Sequence, residues 1–219
     1  MEATPESLPD GWRYKLLTGL VVPRPIAFVS SLSSSGIANI APFSYFSIAC
    51  HNPMAISFTI TGLKPDRSQK DTLRNIQSIP NGGSGEFVVN IAVESCAEAM
   101  ARCSTPVPSD VSEFDISGLT MSPSSVISPP RIAEAPACFE CRTHAIVPIG
   151  QYANLVVGEV VYIHVRDDLI DGDGQINFDS LGAIGRLAGT QYCRITDRFE
   201  LPDEGFFPSQ SDKPIGSYL

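Results

Sequence analysis

"MAISFTIT", residues 54–61, alternates without a break: Met54, Ile56, Phe58 and Ile60 leave one side of an extended chain, Ala55, Ser57, Thr59 and Thr61 the other. It predicts a strand with an apolar core face and a face of hydroxyls. Upstream, "PIAFVSSL" (25–32) and "IANIA" (37–41) flank "SSSG", a turn signal, and predict a hairpin. Downstream, "GEFVVNIAV" (85–93), "ACFECRTHAIVPI" (137–149) and "NLVVGEVVYIHV" (154–165) complete the strands. The last is apolar on both faces, as expected of a strand lining a barrel on one side and covered by a helix or a second subunit on the other. Only "KDTLRNIQSI" (70–79), with Asp71 or Thr72 placed to cap it, and "ESCAEAMARC" (94–103) read as helices. Many short strands, few helices and no βαβ rhythm indicate a mainly β, antiparallel barrel or sandwich.

The chain has 219 residues, of which 43% are hydrophobic, enough for one domain to bury a core without metals or disulfides. A formal net charge of −9 and the lack of any Lys/Arg-rich block argue against a nucleic-acid partner. No apolar run reaches the roughly 18 residues of a membrane span, and the first residues lack the pattern of a secretory signal, so a soluble, cytoplasmic protein is expected. Its six cysteines then read as reduced thiols. Cys138 and Cys141 spell C-x-x-C, but within a strand they leave on opposite faces, which disfavours a metal or redox pair.

Residues 104–136, rich in Pro and Ser, exclude long regular structure and read either as a lid or partner contact or as a packed surface excursion. The segment from Glu200 to Leu219, with its Phe206-Phe207 pair, reads as a C-terminal extension draped over a surface.

Dinucleotide and phosphate-loop signatures, H-E-x-x-H and G-x-S-x-G are all missing. "DGDGQINFD" (171–179) puts Leu169 and Phe178 at liganding positions when aligned as a calcium loop, so calcium binding is not expected there. Three scattered histidines offer little for a triad, and His164 reads as a hydrogen-bonded structural residue. A catalytic role for this chain would therefore rest on a cofactor. In "IANIAPFSYFSIA" (37–49), Pro42 interrupts a strand and frees neighbouring amides to face a ligand. Ser57 and Thr59 add hydroxyls, and Lys70, Asp71 and Thr72 come at a helix start, a place that favours anions. Together these fit a phosphate-bearing planar ligand, although strand-face hydroxyls and a capped helix start also occur without one.

Eight fragments, in order over nearly the whole chain, resemble the flavin reductase-like, FMN-binding split-barrel family, which includes flavoredoxins and the small components of two-component monooxygenases. They are residues 23–47, "NPMAISFTI" (52–60), "KDTLRNI" (70–76), "GEFVVNI" (85–91), "SEFDISGLT" (112–120), "PPRIAEAPACFEC" (129–141), "VVGEVVYIHVRDDLI" (156–170) and "IGRLAGTQY" (184–192). The resemblance implies a Greek-key-like split β-barrel over residues 1–219, a homodimer with FMN near the subunit interface, and NAD(P)H as a transient co-substrate. It places Phe43 and Ser44 along the flavin ring, Ser57, Thr59, Lys70 and Thr72 on the ribityl chain and phosphate, and Asp71 as the residue ordering the turn. Arg186 resembles the family's basic residue near the flavin, with Tyr192 close by. Arg24 is expected to pair with an acidic surface group rather than hold the phosphate. The implied activity is flavin reduction or flavin-mediated electron transfer to a small-molecule substrate or redox partner. A flavoredoxin-type carrier, a pathway enzyme with its own organic substrate, and a barrel that has lost flavin are the alternatives. "ACHNP" (49–53) departs from the family's usual turn, which puts the ring's surroundings there in doubt.

Overall fold

The computed structural model describes residues 1–201; the Phe206-Phe207 segment lies outside the described residues. Its framework is one antiparallel sheet of seven strands. Strands β1 (Ala27–Leu32) and β2 (Ala38–Phe43) form the expected hairpin, with Gly36 supplying the left-handed turn residue at φ 82°. β3 (Phe46–His51) and β4 (Met54–Thr61) form a second hairpin, and β5 (Glu86–Ile91) is the next strand along the chain. Two-residue strands β6 (Met121–Ser122) and β7 (Arg131–Ile132) pair apart from the main sheet, before the long hairpin of β8 (Ala137–Ile149) and β9 (Ala153–Val165). The order across the sheet is β2-β1-β5-β8-β9-β4-β3.

Its two edges, β2 and β3, are joined by only Ser44 and Tyr45. The sheet must therefore curl until its edges meet, and it closes through chain continuity rather than a ladder between them. This explains the proline: Pro42 lies in an edge strand, where a missing N–H is tolerated.

The closed sheet encloses Val29, Phe43, Ile56, Phe58, Ile60, Phe87, Val89, Cys141 and Val156. The Phe58 ring packs against Phe43 at 5.3 Å and edge-on against Phe87 at 5.4 Å. Gly158 in β9 makes room for Phe87, whose ring would overlap any Cβ placed there. The outer face of β1 and β2 is buried too, with Phe28 and Ile40 packed among Met100, Phe114 and Ile132. Those partners come from α-helices α3 (Ala97–Arg102) and α4 (Glu113–Ser117) and from β7. The covered strands are thus β1 and β2, whereas Tyr162 and Ile163 of β9 are each 43% exposed.

The two expected helices are present as α2 (Asp71–Ile76) and α3, but neither Asp71 nor Thr72 caps the first of them. Lys70 is its capping position, with no side-chain cap, because Asp71 is held by Lys64 and Arg74 and Thr72 by Asn39. Helix α1 (Trp12–Leu20) is an addition to the sequence reading. Trp12, Tyr14, Leu17 and Leu20 are exposed and only Thr18 is buried, so the sequence shows no apolar stripe to read. A final helix, α5 (Phe178–Leu181), precedes the small hairpin of β10 (Ile184–Arg186) and β11 (Tyr192–Arg194). Cys138 and Cys141 are free thiols on opposite faces of β8, the first beside Arg131 and the second in the barrel core. Among the described residues no cluster has the makings of a metal site, and no helix is long and apolar enough to cross a membrane.

His164 has the structural role expected of it. Its Nε2 lies 2.6 Å from Oε1 of the fully buried Glu140, whose carboxylate also accepts the Ser125 and Val126 amides at 2.6 and 2.8 Å. Burial pushes the Glu140 carboxyl upward, but these hydrogen bonds outweigh it and leave the group below its ordinary 4.5. The stabilisation is therefore complete above the unfolded value and is lost as pH falls through the lowered one. In urea titrations, Glu140→Gln is expected to cost about 2–4 kcal/mol at pH 7 and to flatten the loss of stability below pH 4.5. Gly158→Ala should cost about 1–3 kcal/mol by overpacking against Phe87.

Candidate functional site

Two adjoining cavities open where β2 hands over to β3. The first, about 210 Å³, is lined by Pro42, Phe43, Ser44 and Tyr45 of the corner, Thr59 and Thr61 of β4, Lys70, Arg186 and Tyr192. Helix α1 contributes Tyr14 and Thr18. The second, about 220 Å³, is lined by Asn39, Phe43, Lys64, Lys70, Asp71, Thr72, Glu113 and residues Cys103–Val107. They share Pro42, Phe43, Lys70 and Ser104, and together they fall in the roughly 300–1,000 Å³ of small-molecule sites.

The corner is fixed from below by β4. The Thr59 amide donates to the Tyr45 carbonyl at 2.9 Å, which brings the Thr59 side chain to the mouth of the first cavity. Ser57, two residues back on the same strand face, is paired with Ser47 under β3 and lines neither cavity. The other expected residues come together. Phe43, Ser44, Thr59, Lys70 and Arg186 line the first cavity, and Phe43, Lys70, Asp71 and Thr72 the second.

Their chemistry differs from their sequence positions. The Asp71 carboxylate is pulled up by burial but held below its ordinary 3.8 by hydrogen bonds from Lys64 (2.7 Å), Ser109 and Arg74. It is an internal counter-ion that spends Lys64 and Arg74, in keeping with an ordering role. Thr72 is 2% exposed, and its hydroxyl donates to Asn39 Oδ1 at 2.8 Å. Asn39 Nδ2 donates in turn to Glu113 Oε1 at 2.7 Å, and the Ile40 amide to Glu113 Oε2 at 3.1 Å. Burial pushes the Glu113 carboxyl above its ordinary value. The network ties α2 and α4 to β2 and fixes the wall of the second cavity. An asparagine within "IANIA" is the one local sign of it.

Lys70 stands apart. Half-buried at the junction of the two cavities, it has no hydrogen-bond or ion-pair partner among the described residues. Desolvation pushes its ammonium below the ordinary 10.5. The amides of residues 71–73 precede the first bond of α2, donated by the Arg74 amide to the Lys70 carbonyl at 3.1 Å. A desolvated, unpaired cation beside free amides is a place for an oxyanion.

Arg24 corrects the expectation of an acidic surface partner. It is 6% exposed and lines the first cavity. Its Nη1 donates to the Thr18 and Val21 carbonyls at 2.6 Å each, its Nη2 to the Leu187 carbonyl at 2.7 Å, and its buried Nε has no partner among the described residues. Backbone bonds between Arg24 and Arg186, of 3.0 and 2.8 Å, complete the tie. One buried cation thus joins the end of α1 to the loop after β10, and nothing in "PRP" (23–25) points to a partner 163 residues away. Tyr192 lies under the Arg186 guanidinium at 4.5 Å, as expected.

Because Lys70 is desolvated without compensation, replacing it should not weaken the ligand-free fold. Lys70→Met is expected to leave unfolding free energy unchanged or raise it by up to about 1 kcal/mol at pH 7. The lowered pKa means that the wild type regains stability as pH rises through it toward 10.5, and the variant's urea midpoint should lack that rise.

The sequence model of the flavin reductase like domain matches residues 19–180. The protein BH2278 of Halalkalibacterium halodurans is 40% identical over 206 residues, covering 92% of this chain and 95% of that one. Among solved structures, nitrilotriacetate monooxygenase component B from Bacillus cereus superposes with a TM-score of 0.84 at 37% identity, covering 92% of this chain and 98% of that one. The 2-nitrobenzoate 2-nitroreductase NbaA of Pseudomonas fluorescens does so with a TM-score of 0.82 at 36% identity, covering 96% and 100%. With the sheet closed at the β2–β3 corner and the cavities opening there, the chain belongs to the flavin reductase-like family of split barrels.

Proposed function

We propose that the chain binds FMN across the two cavities and acts as a flavin-dependent oxidoreductase, oxidising NAD(P)H and passing the electrons to a second acceptor. The observation that carries this reading is Lys70, a desolvated ammonium with no partner among the described residues, beside free amides at the junction of the cavities. In the proposed arrangement Lys70 and the amides of residues 71–73 hold the phosphate. Asp71 and the Thr72–Asn39–Glu113 network keep that backbone in place. Phe43, Ser44, Thr59 and the backbone of the β2–β3 corner, which line the first cavity, would hold the ring. The flavin supplies the capacity to accept a hydride and release electrons singly or in pairs. The residues described orient it and exclude water; none needs to act as a nucleophile. Ser57 has no place in this assignment.

FMN titration followed by flavin fluorescence tests it. Wild type should bind, and Lys70→Met should raise the Kd at least about tenfold, the worth of a charge-assisted hydrogen bond. Equal affinity would place the phosphate elsewhere. Anaerobic NADH should bleach the bound flavin; tight binding without bleaching would favour a carrier that receives electrons from a protein.

A homodimer is part of the proposal. Strand β3 is a sheet edge with Ile48 81% exposed, and Met54, Tyr162 and Ile163 are exposed on the strands nearby. An open edge with apolar side chains calls for cover. Sedimentation should give a dimer, and Ile48→Lys a monomer; a monomeric wild type would contradict it.

A further inference from the structure

The first cavity holds more positive charge than a phosphate at Lys70 accounts for. Arg24, Lys70 and Arg186 line it, and among the described residues no Asp or Glu does, in a chain whose net charge is −9. Lys70 is shared with the second cavity, whereas Arg24 and Arg186 belong to the first alone. Cations gathered on a concave, partly buried wall raise the local concentration of anions and strengthen their hydrogen bonds.

Arg186 is also preorganised. Its Nη2 donates to the Gly189 carbonyl at 2.5 Å, its Nη1 donates to the Tyr192 hydroxyl, and its guanidinium is stacked on the Tyr192 ring. Among the described residues these bonds use two of its five N–H donors, so the fork is held while donors remain. The wall itself is held by Arg24, which ties Leu187 and the backbone of Arg186 to the end of α1. Tyr14, Tyr45 and Tyr192 add planar apolar surface to the lining.

We propose that the Arg186–Tyr192 wall is a subsite for the carboxylate of a small planar organic acid, the second substrate of the oxidoreductase, with Arg24 as the residue that positions it. This rests on the FMN reading above and adds the substrate class. A fixed guanidinium fork matches a carboxylate in two parallel hydrogen bonds, and aromatic faces take the ring to which it is attached. A nicotinamide dinucleotide fits the wall less well, because its phosphates trail outside a cavity of about 210 Å³ while the charge lies within it.

Benzoate and its uncharged isostere benzamide are the probes, titrated into flavin-loaded protein and followed by the visible flavin spectrum. The ratio of their affinities is read on the loaded fraction, so altered flavin binding does not imitate the effect. Wild type should prefer benzoate by about tenfold or more. Arg186→Gln should bring the ratio near one, and Arg24→Met should lower it in the wild type but add nothing in the Arg186→Gln background. A ratio near one in wild type, or an unchanged ratio in Arg186→Gln, overturns the proposal. So does a result in which Arg186→Gln weakens NADH binding and spares the benzoate preference. If Arg24→Met fails to fold, Arg186→Gln alone decides. If wild type binds no FMN, the earlier reading falls, and the same ratio measured by calorimetry on the flavin-free protein decides this one.

Discussion

The two-residue link between β2 and β3 governs this molecule. Ser44 and Tyr45 join the outermost strands of a seven-stranded sheet, so the sheet has to curl until its edges meet. Those edges make no ladder with each other, and the Thr59–Tyr45 bond fixes the seam. A seam closed by chain rather than by hydrogen bonds leaves a cleft, and both cavities open there. The apolar faces of β1, β4 and β5 fill the barrel below it, and α3 and α4 cover β1 and β2 outside. The rigid parts thus surround the one place where the sheet is incomplete.

Charge is managed differently on the two sides of that cleft. Around the second cavity the acids have partners: Asp71 takes Lys64 and Arg74, and Glu113 accepts from Asn39 and the Ile40 amide. Around the first, the cations have no acidic partners. Arg24 is bonded through its two Nη atoms to carbonyls alone, and Lys70 is left bare among the described residues. A folded chain gains nothing by desolvating a lysine without a partner, which is the reason for proposing an anion there. The same reasoning separates Lys70 from Thr72, whose hydroxyl is part of the wall rather than a free donor.

The strand pattern was legible because period-2 alternation reports directly on a half-buried pleat; in "MAISFTIT" Ile56, Phe58 and Ile60 are buried as the alternation reads, while Met54 at the strand's start is exposed. The family followed from fragments in order, and the match over residues 19–180 bears it out. Other features were hidden for physical reasons. Helix α1 exposes its large residues and so carries no amphipathic signal, yet Tyr14 and Thr18 reach the first cavity. Arg24 looked like a surface residue because its partners are backbone carbonyls, which leave no mark in a sequence. Asp71 and Thr72 looked like caps because their tertiary partners, Lys64 and Asn39, come from outside the helix. The segment 104–136 packs on the barrel through Phe114 and Ile132, and its residues Thr105–Val107 line the second cavity.

The central claim is that an oxyanion is held at Lys70 where the two cavities meet. Equilibrium dialysis of the wild-type protein against FMN and against riboflavin, which differs only in lacking the phosphate, tests it most directly. The account predicts that FMN binds at least about tenfold more tightly. Equal affinity for the two would show that Lys70 holds no phosphate, and would contradict the account.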